Sequence, residues 1–310
     1  MATLEQLIIF FLLIGVGVIA RKVGVITPGN TPQLTSLVFN FAIPAIILSG
    51  ITTDQPHISG KELSIVLASA FTALILLIIC SRILARVLRY EREYHGVVTV
   101  MTTFTNISMM GIPMIYSLYG AEAMIYITVF LLPYNLLFFS YGYYCMKDQS
   151  GNAEALSLRN MLNVINPGII ACILALILYI SNIHIPYVIA QPIKMLGAIT
   201  GPVSMLLIGS FLLDIEWKSV FKDVKVWVFT FFKMVIIPLV IILIMKLFIT
   251  NGLLLGVLLA AVATPAGAGT PLLAQMLNKK IYPLALKGAT LTTLVSLITM
   301  PLVAMMTGIG

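Results

Sequence analysis

Long apolar stretches separated by short polar connectors run through the whole chain. Each stretch holds about 18 to 25 predominantly apolar residues, enough for an α-helix to cross a hydrocarbon layer of roughly 30 Å. The pattern predicts an all-α integral membrane protein with ten transmembrane helices. The predicted spans are Leu4–Ala20, Thr35–Ile51, Leu63–Ile83, Gly96–Leu118, Ala123–Met146, Pro167–Ile183, Val188–Leu213, Val226–Phe248, Gly252–Leu277 and Pro283–Gly308.

The most polar connector divides the predicted spans into two sets of five. This connector covers residues 148–166, after a first unit of residues 1–147 and before a second unit of residues 167–310. Because each unit holds an odd number of spans, the second unit must begin on the opposite side of the membrane. The sequence therefore predicts two inverted five-helix repeats, an arrangement found in many secondary transporters.

The fourth and ninth predicted spans contain more glycine and proline than a continuous helix sustains, since an interior proline costs about 3 kcal/mol. We predict that both spans break inside the membrane and cross each other. Their half-helix N-termini would then point inward and form an anion site. The alternative is that the prolines only kink ordinary helices. The candidate residues of the two breaks are Asn106, Gly111, Pro113, Pro265, Gly267, Gly269, Thr270 and Pro271.

Composition and charge narrow the class of protein. Hydrophobic residues make up 60% of the chain and charged residues 9%, against about 25% charged residues in soluble domains. The net charge of +7 comes from lysines and arginines in short connectors, whereas nucleic-acid binding needs them on one exposed face. The three cysteines and three histidines are scattered. We therefore expect no metal site, no cofactor and no enzymatic activity.

The distribution of basic residues predicts the orientation in the membrane, because lysine and arginine resist translocation. With the N-terminus outside, fourteen of the eighteen basic residues fall on the cytoplasmic side. Both termini are then expected outside the cell. The four basic residues that fall elsewhere are Lys61, Lys194, Lys233 and Lys246.

Several short motifs resemble those of the auxin efflux carrier family, in the bile/arsenite/riboflavin transporter-like superfamily. They are Asn40 with Pro44, Asn106 followed by Gly111-Ile112-Pro113, and the segment from Phe232 to Pro238. The resemblance covers essentially the whole chain. It implies ten helices in two inverted repeats with crossing broken helices, and a small organic anion as substrate, such as auxin, malonate or malate. The compact length resembles bacterial members, which implies the inner membrane, and the family also makes a homodimer an expectation.

Five polar side chains are the leading candidates for substrate contact beyond the glycines and prolines. Asn106 ranks first, because an amide at a helix break can donate to a carboxylate without bringing charge into the membrane; the alternative is a helix cap. Lys233 lies well inside a span and either binds a carboxylate or extends to the headgroups. Tyr134 and Asn135 are expected to line the cavity, although Asn135 could instead bond a neighbouring helix. Asn40 joins them through the resemblance.

The sequence leads to a secondary transporter that moves a small carboxylate across the lipid bilayer by alternating access. A receptor or scaffold that binds without transport, and an anion channel, are the alternatives. No predicted span carries an acidic residue near its centre, so a buried carboxylate relay is not expected. The coupling stays open between facilitated diffusion, sodium bound by carbonyls, and proton movement on Lys233 or on the substrate.

Overall fold

The computed structural model describes residues 2–49, 59–147, 167–181, 183, 185–214, 217–267 and 269–309. The connector of residues 148–166 that divides the predicted repeats lies outside these residues. Nearly all of the described chain is helical. The helices are α1 (Ala2–Lys22), α2 (Thr31–Ser49), α3 (Gly60–Val87), α4 (Arg92–Thr103), α5 (Ile107–Tyr119), α6 (Ala123–Met146), α7 (Pro167–Ile180), α8 (Tyr187–Phe211), α9 (Trp217–Lys222), α10 (Val224–Lys246), α11 (Gly252–Ala263), α12 (Gly269–Leu277) and α13 (Tyr282–Thr307).

Five of the described helices are long and apolar enough to cross a membrane, namely α2, α3, α6, α8 and α10. The number becomes six when the two arms of α13, Tyr282–Ser296 and Ile298–Thr307, are taken as one span bent by 61°. Shorter apolar helices accompany them, among them α5, α7 and α11. The described chain is therefore an all-helical, multi-pass membrane protein.

Polar residues define several helix ends. The Ser59 hydroxyl accepts a hydrogen bond from the amide of Glu62 at the start of α3. At the start of α11, the Asn251 side chain accepts hydrogen bonds from the amides of Leu253 and Leu254. Helix α13 is terminated by Gly308, the residue that follows it. The φ of Gly308 is +63°, in the left-handed conformation that glycine adopts readily. Residues next to each helix end therefore determine where these helices begin and stop.

Helices α2, α5, α6 and α10 each contain one turn of π-helix. These turns cover Val38–Ala42, Ile107–Gly111, Phe138–Gly142 and Phe232–Ile236. A π turn widens the helix by one residue and leaves backbone groups less regularly paired, which is why such turns are frequent at functional sites. Three of the turns contribute residues to the cavity described below, and the fourth contains Lys233.

Helix α1 packs closely along the second half of α8. Gly17 and Gly209 make the close approach possible: an added Cβ at Gly17 would overlap the backbone of Leu206, and one at Gly209 would overlap the backbone of Ile14. Small residues serve the same purpose at many helix contacts within membranes. Helix α2 packs in turn against α7 and the first half of α8. The first two helices are thus held by the later part of the chain.

Two ion pairs join connectors to the starts of helices. Lys280, before α13, pairs with Glu93 at the start of α4 (2.6 Å), and Lys287 pairs with Asp223 before α10 (3.2 Å). Lys280 and Asp223 lie in connectors, whereas Glu93 and Lys287 lie near the starts of α4 and α13. The sequence analysis predicts both lysines on the cytoplasmic side, and the two ion pairs agree with these helix ends lying at the same end of the molecule.

Candidate substrate site at two broken helices

The fourth and ninth predicted spans are each interrupted. The backbone leaves the helical conformation between α4 and α5, and again between α11 and α12. The two interruptions meet in space, where Thr105 and Ala266 form an isolated antiparallel β-bridge. Segments from distant parts of the chain therefore pair at the point where each helix stops.

Two backbone hydrogen bonds join the interrupted segments. The amide of Asn106 donates to the carbonyl of Pro265 (2.7 Å), and the amide of Gly267 donates to the carbonyl of Phe104 (2.9 Å). A Cβ at Gly267 would lie 3.0 Å from the Phe104 oxygen and 3.1 Å from the oxygen of Thr105. The close approach of the two backbones therefore favours glycine at this position, since a Cβ would push them apart by a few tenths of an ångström.

Three side chains satisfy further backbone groups at the breaks. The Thr105 hydroxyl donates to the carbonyl of Ala261 (2.7 Å), near the end of α11. The phenol of Tyr134 donates to the carbonyl of Thr105 (2.6 Å). The amide of Ala266 donates to the hydroxyl of Thr292 in α13 (3.1 Å). Water is scarce at membrane depth, so these bonds replace the solvent that an exposed break would need.

A cavity of about 220 Å³ lies beside the paired breaks. Among the described residues that line it, none carries a charge. The lining residues are Phe39, Asn40, Ile43, Ile47, Phe104, Thr105, Asn106, Ser108, Leu131, Tyr134, Asn135, Phe138, Pro167, Gly168, Gly267 and Gly269.

Aromatic rings form one wall of this cavity. The ring of Phe104 meets the rings of Tyr134 and Phe138 edge to face, with centroid distances of 5.6 and 5.2 Å. Tyr134 and Phe138 lie nearly parallel, 6.4 Å apart. Edge-to-face contacts of this kind hold rings in fixed orientations. Sequence analysis identified Tyr134 but not the two phenylalanines, since nothing distinguishes them from the other phenylalanines of the apolar spans.

Three asparagines reach the cavity, and they differ in their hydrogen bonds. Asn135 donates to the carbonyl of Leu131 in its own helix (2.8 Å), and Asn40 donates to the hydroxyl of Ser36 (2.8 Å). Asn106 is 6% exposed, and its side chain has no hydrogen-bond partner among the described residues. The side-chain amide of Asn106 therefore keeps its donors and its acceptor available to a molecule in the cavity.

Two helices begin at the edge of the same cavity. Ser108 lies in the first turn of α5 and Gly269 starts α12, and both line the cavity. The first amides of a helix have no partner within that helix, and the helix dipole places partial positive charge at that end. The arrangement offers a neutral but electropositive surface, which suits an anionic group.

Comparison with known families decides the class of protein. The sequence model of a family described as Membrane transport protein matches residues 2–304, nearly the whole chain. The chain belongs to the membrane transport protein family. This is the family of the auxin efflux carriers, so the resemblance is confirmed. It is a family of transporters and not of enzymes. No curated protein matches the chain.

Not all the candidate residues line the cavity of this membrane transport protein. Gly111 and Pro113 are buried in the first turns of α5. Pro265 contributes its carbonyl to the paired breaks. Thr270 is buried in α12, where its hydroxyl has no partner among the described residues, and Pro271 beside it is half-buried. These residues shape the breaks next to the cavity.

Lys233 also lies away from the cavity. Its side chain is fully buried, and its ammonium nitrogen donates to the carbonyls of Val262 (3.0 Å) and Thr264 (3.1 Å) at the end of α11. A lysine that extends to the headgroups would expose this nitrogen, and Lys233 does not. In this family member the Lys233 side chain therefore contacts the ninth-span break at the carbonyl end of α11.

Proposed function

We propose that this chain is a secondary transporter that moves a small organic anion by alternating access at the paired breaks. One observation carries the proposal: the side-chain amide of Asn106, which has no partner among the described residues, and the starts of α5 and α12 border the same uncharged cavity. In transporters with broken helices, half-helix N-termini point at the anionic group of the substrate. A carboxylate is the group that these donors suit best.

The absence of a cation among the described lining residues supports a carrier. Buried charges bind counter-charges strongly and are costly to leave unpaired when the ligand departs. Amides and helix starts supply hydrogen bonds without this cost, so the empty site can return across the membrane. The volume of about 220 Å³ lies below the roughly 300–1,000 Å³ of sites for drug-sized ligands. The proposed substrate is therefore a compact carboxylate of the malonate or malate type, or a small aromatic acid.

The proposed mechanism includes two inverted repeats, residues 1–147 and 167–310, with both termini outside the cell membrane. Helices α4 and α11 support it, because each is 12 residues long and each ends at a break. The antiparallel pairing of the breaks is what an inverted relation of the two halves would produce. Alternating access would then move the paired breaks relative to the remaining helices.

The direct test uses purified protein reconstituted into liposomes. A thermal-shift screen of organic anions first identifies a stabilising compound, and uptake of its labelled form is then measured. We expect saturable uptake by the wild-type protein, and loss of uptake in Asn106→Ala. Asn278→Ala is the matched control, since Asn278 lies at the charged end and bonds the amide of Lys280.

The other outcomes identify the alternatives. Saturable binding without flux under any gradient would indicate a receptor or scaffold. Flux that does not saturate with substrate concentration would indicate a channel. Uptake by Asn106→Ala equal to that of the wild type would remove Asn106 from the site.

A further inference from the structure

The carbonyl end of α11 presents several hydrogen-bond acceptors at the paired breaks. The last carbonyls of a helix have no partner within that helix, and the dipole gives this end partial negative charge. Three of these oxygens have partners from elsewhere: the Thr105 hydroxyl binds Ala261, and Lys233 binds Val262 and Thr264. The end of α11 is thus closed by protein groups.

Lys233 makes these contacts without an acidic partner in the described part of the chain. The described ion pairs are Lys280 with Glu93 and Lys287 with Asp223. An ammonium carries three donors, and two of those of Lys233 are placed on carbonyls at 3.0 and 3.1 Å. Backbone oxygens therefore supply the counter-charge for this buried group.

Carbonyls at the C-terminal ends of broken helices are where many secondary transporters bind a coupling cation. In this chain the same kind of oxygens hold the ammonium of a side chain. The buried hydroxyl of Thr264 has no partner among the described residues, so it offers one more oxygen next to the Thr264 carbonyl. The site has the oxygen ligands of a small cation and is filled by Lys233.

We propose that the Lys233 ammonium occupies the position of a coupling cation at the ninth-span break, so that anion transport requires no sodium. The proposal rests on the proposed transport function and selects among the coupling modes that the sequence left open. It further implies that removal of the ammonium creates a sodium site from the oxygens of Val262 and Thr264.

The test compares melting temperatures of full-length protein in detergent, in sodium chloride and in choline chloride at equal concentration. The wild-type protein should melt at the same temperature in both salts. Lys233→Ala should melt lower in choline chloride, and sodium should raise its melting temperature by about 3 °C or more, because a ligand that binds only the folded state stabilises it.

Lys246→Ala is the matched control. Lys246 lies in the same helix and donates to the carbonyl of Thr307 (2.7 Å) near the end of α13, away from the breaks. Its removal also frees a carbonyl, but at a helix end without a break. Lys246→Ala should therefore show no difference between the two salts.

Several results would overturn the proposal. Sodium stabilisation of the wild-type protein would mean that a cation site exists beside Lys233. An equal melting temperature of Lys233→Ala in both salts would mean that no cation replaces the ammonium. If Lys233→Ala yields no folded protein, Lys233→Gln, which removes the charge but keeps an NH2 group with two donors, is measured instead. Failure of both variants to fold in sodium-containing medium would also contradict the proposal.

Flux measurements separate this proposal from the transport function. Wild-type uptake of the identified anion should be equal in sodium and choline media. Uptake that needs sodium would overturn the role of Lys233 and leave the transporter proposal intact. Absence of uptake in both media would overturn the transporter proposal, whereas the melting comparison would still test the cation position.

Discussion

The two breaks differ in what their polar groups contact. At the break between α4 and α5, the side-chain amide of Asn106 has no partner among the described residues, and Asn106 lines the cavity. At the break between α11 and α12, Lys233 and Thr292 bind backbone groups on the protein side. The comparison shows that the polar side chain at the first break is left free to meet a molecule in the cavity, whereas those at the second break satisfy backbone groups.

This difference has a physical origin in the ends that each break exposes. A half-helix start offers donors and partial positive charge, whereas a half-helix end offers acceptors and partial negative charge. In the proposed function an anionic substrate uses the donors, which leaves the acceptors to be satisfied by protein groups. The four substitutions below test this division, in order of decreasing expected effect.

Lys233→Met removes the donors of Lys233 and retains a long side chain. The carbonyls of Val262 and Thr264 lose their partner, which should cost about 3 kcal/mol of stability and lower the melting temperature in choline chloride. The dissociation constant of the transported anion should stay near the wild-type value, because Lys233 does not line the cavity. A normal melting temperature with weakened binding would return Lys233 to the substrate site.

Asn106→Ala should have the opposite profile. A hydrogen bond to a charged group contributes about 2 kcal/mol, so the affinity for the anion should fall by about 30-fold. The melting temperature should barely change, because the Asn106 side chain has no bond to lose among the described residues. Binding is measured by titration of detergent-purified protein. A lower melting temperature with unchanged affinity would show that Asn106 supports the fold instead.

Thr292→Val removes the acceptor for the amide of Ala266 at the ninth-span break. The unsatisfied amide should cost about 1 to 2 kcal/mol and lower the melting temperature by a few degrees. The control is Thr293→Val, since the Thr293 hydroxyl donates only to Ala289 in its own helix (2.8 Å). Equal melting temperatures of the two variants would contradict the supporting role of Thr292.

Tyr134→Phe should have the smallest effect and should affect both measurements. It removes the bond to the Thr105 carbonyl (2.6 Å), worth about 1 kcal/mol, and keeps the ring contacts. Because Tyr134 both supports the fourth-span break and lines the cavity, stability and anion affinity should each fall slightly. Tyr116→Phe, at an exposed tyrosine, is the control. If Tyr134→Phe matches the wild type in both stability and anion affinity, the phenol neither supports the break nor contributes to binding.

The positions of the breaks, and the presence of Asn106 at one of them, could be predicted from the sequence. Glycine and proline density is a local property, and it indicates where a helix cannot continue. An amide within such a segment stands out against an apolar span. Lys233 was visible for the same reason, as a basic residue far from the connectors.

The hydrogen-bond partners of these residues could not be predicted from the sequence. Lys233 bonds carbonyls 29 and 31 positions along the chain, and backbone oxygens leave no mark in the sequence. Thr292 looks like any threonine of an apolar helix, and the π turns have no residue signature. The number of spans and the inverted relation of the halves stay predictions, because apolar length alone does not distinguish a span from a short helix.

The paired breaks also have a consequence for biosynthesis. Thr105 and its partner Ala261 are separated by 156 positions, so the ribosome delivers the two segments at different times. Until α11 and α12 emerge, the amide of Asn106 and the carbonyl of Phe104 lack the partners that they have in the finished protein. Unpaired backbone in lipid is costly, so a chain truncated before α11 should remain a substrate for quality-control proteases.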